Sequence, residues 1–289
     1  LIADVGQGNL DGESIHIPAN SVAVFTGKQL TPIEFPQNQT PCSPLEYNIT
    51  TPPPFLSEIK FFMPKAVSIF GLWLVASEDV DDASLLHAAG VMAGYLDNDG
   101  NGEVDDLAVI ENMTAVYSTM VITNTSSDMK HFFEKIPDSF HQKIDNGEVV
   151  IQELYQSEIN PGGREGINFD ATLKEVLHLI THAGFASAYP SLFSERGDSN
   201  LTRAMDLARG GHFEETSHDN CEKVTDECAL PQGGYPESAW YHYVDGTCDY
   251  ACMANEYLYW SLTTAMGAQQ NSQRCSSISD EWELCTPER

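Results

Sequence analysis

Basic residues are scarce in this chain: 14 Lys and Arg face 43 Asp and Glu, giving a formal net charge of −29. A surface of that sign repels a phosphate backbone, which excludes nucleic acid as a partner class and disfavours anionic membrane surfaces. Long apolar runs are missing too. The best, Val67–Ala76 (VSIFGLWLVA), is about half of the roughly 18–20 residues that a membrane-spanning helix needs. It reads as a buried strand, and no membrane span is expected. No G-x-S-x-G elbow, P-loop or G-x-G-x-x-G fingerprint occurs, so the common nucleophile and nucleotide signatures are absent. The cysteines lack the paired C-x-x-C spacing of a structural zinc ribbon. There is no fixed-period repeat and no low-complexity tract. The chain opens on Leu1 without Met, basic n-region or leader, and Leu1 is expected to begin a processed chain whose signal has been removed.

What is present is a chain of 289 residues, 42% hydrophobic, long enough for a substantial core. The excess of acid favours divalent cations, basic extracellular partners or peptides, and solubility in a salty medium. N-x-S/T sequons stand at Asn38, Asn48, Asn112, Asn124 and Asn200. Six cysteines, Cys221, Cys228, Cys248, Cys252, Cys275 and Cys285, crowd into the last quarter, and Cys42 stands apart. Sequons and clustered cysteines together predict a secreted, disulfide-bonded glycoprotein. Cys221–Cys228 and Cys275–Cys285 are plausible short closures, but the pairing stays open at this point. Oligomeric state is not legible.

Residues 1–66 differ in texture from the remainder. Their prolines, including Pro52–Pro54, and alternating pieces such as Ser21–Thr26 (SVAVFT) predict a β-rich segment or small lobe, with Tyr47–Phe55 as a linker. From residue 67 to 289 the pattern is α/β or α+β, ending in a disulfide-stitched part. Strands are expected at Val67–Ala76, Ala115–Thr123 and Glu148–Leu154. Helices are expected at Asp82–Leu96, Leu107–Asn112, Met129–Ile136, Asp170–Gly184, Leu201–Arg209 and Glu256–Met266. Asp170 suits an N-cap and Gly184 a C-cap. The aromatic stretch Tyr235–Trp260 reads as core held by Cys248 and Cys252, or as a cleft lining for peptide or sugar.

The most specific motif is Asp97-Asn98-Asp99-Gly100-Asn101-Gly102-Glu103-Val104-Asp105-Asp106. Hard cations take six to eight oxygens, several of them carboxylate. Asp97, Asp99, Asn101, Glu103 and Asp105 alternate along the segment and converge if it curls, and Gly102 permits the bend. The motif resembles an EF-hand loop over about 12 residues. That resemblance implies a calcium ion, structural in an extracellular setting. The departure is Ala108 at the twelfth position, where the bidentate Glu belongs. Asp106 or Glu111 are the substitutes at hand.

The second candidate is Glu175-Val176-Leu177-His178-Leu179-Ile180-Thr181-His182. At 100° per residue Glu175, His178 and His182 share one helix face, while Leu173, Val176, Leu177 and Ile180 lie opposite. Two His at i and i+4 chelate one ion. The spacing resembles the H-E-x-x-H zincins, and the strand at Glu148–Leu154 suits their element order. The resemblance implies a zincin-like central fold and a zinc ion on His178 and His182, with Glu256 as third ligand from a later helix. Leu179 stands where the zincin base belongs, so Glu175, one turn earlier, becomes the catalytic candidate. Glu175 and His178 also match one E-x-x-H of a di-iron bundle. Weaker ligand candidates are His212 with Glu214, His218 and His242. Zinc-dependent hydrolysis is the leading expectation. A calcium-binding matrix or adhesion protein without catalysis, and a copper- or iron-dependent oxidoreductase, are the alternatives.

Overall fold

The computed structural model describes residues 47–161, 169–214 and 229–286. The expectations for Ser21–Thr26, Asn38, Cys42, His218, Cys221 and Cys228 fall outside them. The described chain divides into two compact units, one running up to Ala188 and the other starting at Tyr189.

The first unit is mixed α/β, built on a four-stranded sheet of order β1-β2-β3-β4. β1 (Lys65–Ile69) and β2 (Leu72–Ala76) are antiparallel, and β3 (Thr119–Thr123) and β4 (Ile151–Tyr155) add in parallel. The single strand expected over Val67–Ala76 is therefore a hairpin. Its turn is Phe70-Gly71, with φ of 48° and 89°. Left-handed backbone at both turn positions matches the twist of the flanking strands. A break between two apolar strands is invisible in an apolar run when only one turn residue is a glycine. In the described part of the N-terminal segment, strand pairing before β1 is limited to an isolated bridge from Thr50 to Ala66, and Pro54–Leu56 forms a 3-10 turn. Prolines without an N–H cannot extend a ladder there.

The crossovers carry the helices. α1 (Asp82–Leu96), the acidic loop and α2 (Leu107–Ala115) connect β2 to β3; α3 (Ser126–Lys135) and α4 (Asp138–Asp145) connect β3 to β4. α1 has the bounds expected from sequence, and Asp81 caps it by accepting from the Ser84 amide at 2.7 Å. Met129 and Phe132 of α3 and Phe140 of α4 pack with Leu56, Ile59, Val75 and Val121 in one buried cluster. Strand residues alternate between faces, so Leu74, Met120 and Ile122 point to the other side of the sheet. There α1 packs on β1 and β2, and α5 (Ala171–Ile180) packs on β3 and β4.

Asp170 caps α5 as expected, its Oδ1 accepting from Thr172 N at 3.2 Å. The Gly184 cap does not form. The helix instead widens into a π turn, Thr181–Phe185, and continues as α6 (Ala186–Ala188). Gly184 is buried, and a Cβ there would lie 2.6 Å from Val109 Cγ1 of α2. The glycine serves close helix approach, not termination.

Asp170 also yields a pH prediction. Its Oδ2 sits 2.8 Å from His87 Nε2, and Oδ1 accepts from the Asn160 amide at 3.1 Å. Burial pushes this carboxyl up, but the bonds from His87, Thr172 and Asn160 outweigh burial and hold it below the usual carboxylate range. A depressed pKa contributes stability that is present above the unfolded value, near 4, and is lost as pH falls through the folded value. Thermal midpoints measured from pH 6 down to pH 2 should therefore show a shallower acid loss in Asp170→Asn, whose side chain can still cap α5. An unchanged acid limb would remove Asp170 from the account.

The second unit holds α7 (Pro190–Phe193), α8 (Asn200–Arg209), α9 (Tyr250–Ala265) and α10 (Ser272–Ser277). Disulfides join Cys248 to Cys252 and Cys275 to Cys285. The second of these is one of the expected short closures. Tyr241, Tyr257, Trp260 and Trp282 are all buried, and Trp282 lies against each of the other three rings at 5.9–6.4 Å. This part of the aromatic stretch is core. Arg209, fully buried, donates to the carbonyls of Phe213 and Ala229 and stacks 5.2 Å from the Phe213 ring.

Candidate functional site

The acidic loop is built by the helices that flank it. Asp97 follows the last residue of α1, and its amide still donates to Ala93 O at 2.8 Å. Asp106 caps α2 by accepting from Val109 N at 3.1 Å. Between them, Asp105 N donates to Leu96 O at 2.8 Å and closes the loop, while Gly100 and Gly102 adopt φ of 69° and 90°. The curl turns amides inward: Asn101 N and Gly102 N donate to the two oxygens of Asp97 at 3.0 and 2.8 Å. Asn101 Nδ2 donates to Asp99 Oδ2 at 3.0 Å, and Glu103 N to Asn101 Oδ1 at 2.8 Å. Asp105 Oδ2 accepts from the backbone and side chain of Asn98 at 2.7 and 2.9 Å.

The outcome is that Asp97, Asp99 and Asp105 each bring a carboxylate oxygen within 4.8 Å of the others. Asp97 is only 6% exposed. Two like charges about 4 Å apart repel by roughly 1 kcal/mol in bulk water and about 4 kcal/mol near a protein surface. The C-terminal end of α1 adds its own partial negative charge beside Asp97. No Lys, Arg or His occurs between residues 93 and 111 to offset this. A hard divalent cation is the chemistry that such a donor set fits. Val104, the expected core anchor, is half-buried, Glu103 is exposed, and Glu111 is exposed on α2.

The histidine helix is more mixed. His178 is 8% exposed, Glu175 is half-buried, and His182 is exposed in the π turn. Among the described residues Glu175, His178 and His182 do not converge as a three-ligand group; that arrangement is found at Asp97, Asp99 and Asp105. π turns are frequent at functional positions. Glu175 Oε2 accepts from Gln152 Nε2 of β4 at 2.7 Å and faces His178 Nδ1 at 3.4 Å; Oε1 faces Lys174 Nζ at 3.3 Å. Burial pushes the Glu175 carboxyl up, yet its bonds to His178 and Lys174 win and hold it below the ordinary range. Nearby, burial and the Glu175 charge raise the Glu153 and Glu158 carboxyls, although Tyr155, donating to Glu153 at 2.9 Å, lowers the former. Glu256 belongs to α9 of the other unit and is 3% exposed.

Gln152 and Lys174 were not legible as site residues. A strand glutamine carries no motif, and only the packing of α5 on β4 brings it to Glu175. Among the weaker candidates, His212 bridges Asp206 (2.8 Å) and Glu214 (3.4 Å), whose carboxylates raise its pKa. His242 reaches the Ala239 carbonyl at 2.9 Å. Of the sequons, Asn48 is exposed, and Asn112, Asn124 and Asn200 are half-buried. No helix of the described residues is long and apolar enough to cross a membrane.

Comparison of the chain with family models, curated proteins and solved structures finds no match.

Proposed function

We propose that this chain is a secreted, acidic metalloprotein whose Asp97–Asp106 loop binds calcium as a brace between α1 and α2. The observation that carries the reading is the convergence of Asp97, Asp99 and Asp105 within 4.8 Å, with no basic side chain in the surrounding sequence. Two disulfides and five sequons support an extracellular setting. In such a setting calcium is nearly constant, so a brace suits it better than a sensor does.

A second metal-dependent role is suggested by the i, i+4 spacing of His178 and His182 and by the contact of His178 with Glu175 at 3.4 Å. In this reading His178 and His182 hold a zinc ion. Zinc supplies a Lewis acid and a bound water of lowered pKa, which is hydrolytic chemistry of metallopeptidase type. The zincin-like reading of the central fold rests on the same helix and on β4 preceding it. Elemental analysis of the purified protein tests both roles. About one calcium per chain, lost in Asp97→Ala, and about one zinc, lost in His178→Ala, are the expected results. Calcium alone would leave a calcium-binding matrix or adhesion protein. Copper or iron in place of zinc would point to an oxidoreductase.

A further inference from the structure

We propose that the chain carries two deamidation sites of unequal access: Asn146–Gly147 converts in the folded protein, whereas Asn101–Gly102 is shielded by the acidic loop and converts only when that loop opens. The shield stands on the loop's own hydrogen bonds, and its calcium dependence rests on the reading of Asp97–Asp106 as a calcium site.

Asn-Gly occurs at these two positions of the chain. The reaction needs only the chain and water. The glycine backbone nitrogen attacks Cγ of the asparagine side chain and a C–N bond forms. The Cγ–Nδ2 bond breaks, and ammonia leaves with the proton of the attacking amide. Water then opens the cyclic imide at either carbonyl, which yields Asp or an isoaspartyl link. Glycine favours the attack because it has no Cβ to obstruct a close approach. Two things oppose it. One is a set of hydrogen bonds that holds the side-chain amide off the backbone nitrogen. The other is negative charge beside a nitrogen that must give up its proton.

Asn101 has both. Its Oδ1 accepts from Glu103 N at 2.8 Å, and its Nδ2 donates to Asp99 Oδ2 at 3.0 Å. Its own amide is held by Asp97 and Asp99 at 3.0 and 3.1 Å, which fixes the backbone that the attack must rotate. The attacking group, Gly102 N, donates to Asp97 Oδ2 at 2.8 Å, a charge-assisted bond to a buried carboxylate. Asp97, Asp99 and Asp105 converge around it within 4.8 Å of one another, so loss of the amide proton works against their charge.

Asn146 has neither. It is exposed, directly follows α4, and its hydrogen bonds are confined to its backbone. Gly147 N donates to a neutral carbonyl, Ile144 O, at 2.9 Å, at a helix end of the kind that frays. Conversion at 146 places a carboxylate at the C-terminal end of α4, against the helix dipole. Conversion at 101 adds a further carboxylate to the loop, and its isoaspartyl form lengthens the backbone along which the loop oxygens alternate.

The test incubates the full chain at mildly alkaline pH in calcium, in chelator and in denaturant. Mass spectrometry of proteolytic peptides follows Asn, Asp and isoaspartate at both positions over time. Thermal midpoints in calcium and chelator report binding and folding. In denaturant the two dipeptides should convert at similar rates, which gives each its unshielded reference. In the folded protein with calcium, Asn146 should convert well ahead of Asn101. At a Kd of about 0.1 mM, about 10 mM calcium lowers the population of the opened loop about 100-fold. Chelator should therefore speed Asn101 by up to about 100-fold and leave Asn146 unchanged. Asp97→Ala, which removes the acceptor of Gly102 N, should speed Asn101 in calcium as well. Asn146→Gln should remove the early conversion and leave the Asn101 rate as it was. Asn101 converting as fast as Asn146 in the folded, calcium-treated protein would overturn the proposal. An Asn101 rate indifferent to chelator, in a protein whose midpoint shifts with calcium, would overturn the calcium gate alone. A midpoint that does not shift would overturn the calcium reading instead, and the shield then stands or falls on whether Asp97→Ala releases Asn101.

Discussion

Asp97→Ala is expected to abolish calcium binding at the loop and to erase the calcium-dependent part of the protein's stability. The side chain is the most buried of the three converging carboxylates, and both its oxygens organise the curl through the amides of Asn101 and Gly102. Extracellular calcium modules bind with Kd values down to about 0.1 mM. At such a Kd, 10 mM calcium stabilises the folded state by about 2.7 kcal/mol through mass action. Wild type should therefore melt at a clearly higher temperature in calcium than in chelator, and Asp97→Ala should melt at one temperature in both. Asp81→Ala serves as a control, because it removes the α1 cap at the end of the helix away from the loop. It should cost about 1 kcal/mol in calcium and chelator alike. Identical midpoints of wild type in calcium and chelator would sink the brace.

Much of the loop was legible because its determinants are local. Alternating oxygens, glycines where the backbone turns left-handed, and a capping Asp106 all lie within ten residues, and their geometry follows from the backbone they share. α1 was legible for the same reason. Asp81 accepts from its own first turn, and apolar spacing runs unbroken to Leu96. The extension of α2 through Ala115 is different. Residues 115–118 look like the start of β3, but Tyr117 takes φ of 42° and Ser118 N returns to Met113 O at 3.0 Å, ending the helix late. α4 was missed because its few apolar positions, Phe140 and Ile144, gain meaning only against the cluster under β2 and β3.

The histidine helix shows where local reading stops. The shared face of Glu175 and His178 follows from helical spacing, and the structure places them in contact. Which group holds Glu175 does not follow, because Gln152 is 23 residues away and arrives only through the packing of α5 on β4. The end of the helix was misread for a related reason. A glycine after an apolar helix reads as a cap, yet here the missing side chain is needed by a neighbouring helix. The disulfide from Cys248 to Cys252 spans the start of α9, where Asp249 caps the Cys252 amide at 2.8 Å. Cysteine spacing alone left several pairings open.

Gly184→Val is expected to destabilise the first unit by about 3 kcal/mol and to weaken metal binding at the histidine helix. In an ordinary exposed helix, replacing glycine stabilises by up to about 1 kcal/mol, so the sign of the effect is itself informative. At this position a single Cβ would lie 2.6 Å from Val109 Cγ1 and 3.1 Å from Met113 Cγ, both on α2. The π turn cannot recede without moving His182, which it carries, and α2 cannot recede without disturbing Asp106 at its start. The two candidate metal sites are thus mechanically adjacent through one glycine. Gly184→Ala should show a smaller loss than the valine variant. Adding Val109→Ala to Gly184→Ala should return part of the stability, because it removes the atom in the way. Contacting residues couple by about 0.5–3 kcal/mol in such a cycle. Denaturant unfolding of the two single variants and the double variant measures that coupling, and zinc affinity of the same set reports on His182. Additive losses, or a Gly184→Ala variant as stable as wild type, would show that the helix approach at Gly184 is slack and that the two sites are not joined there.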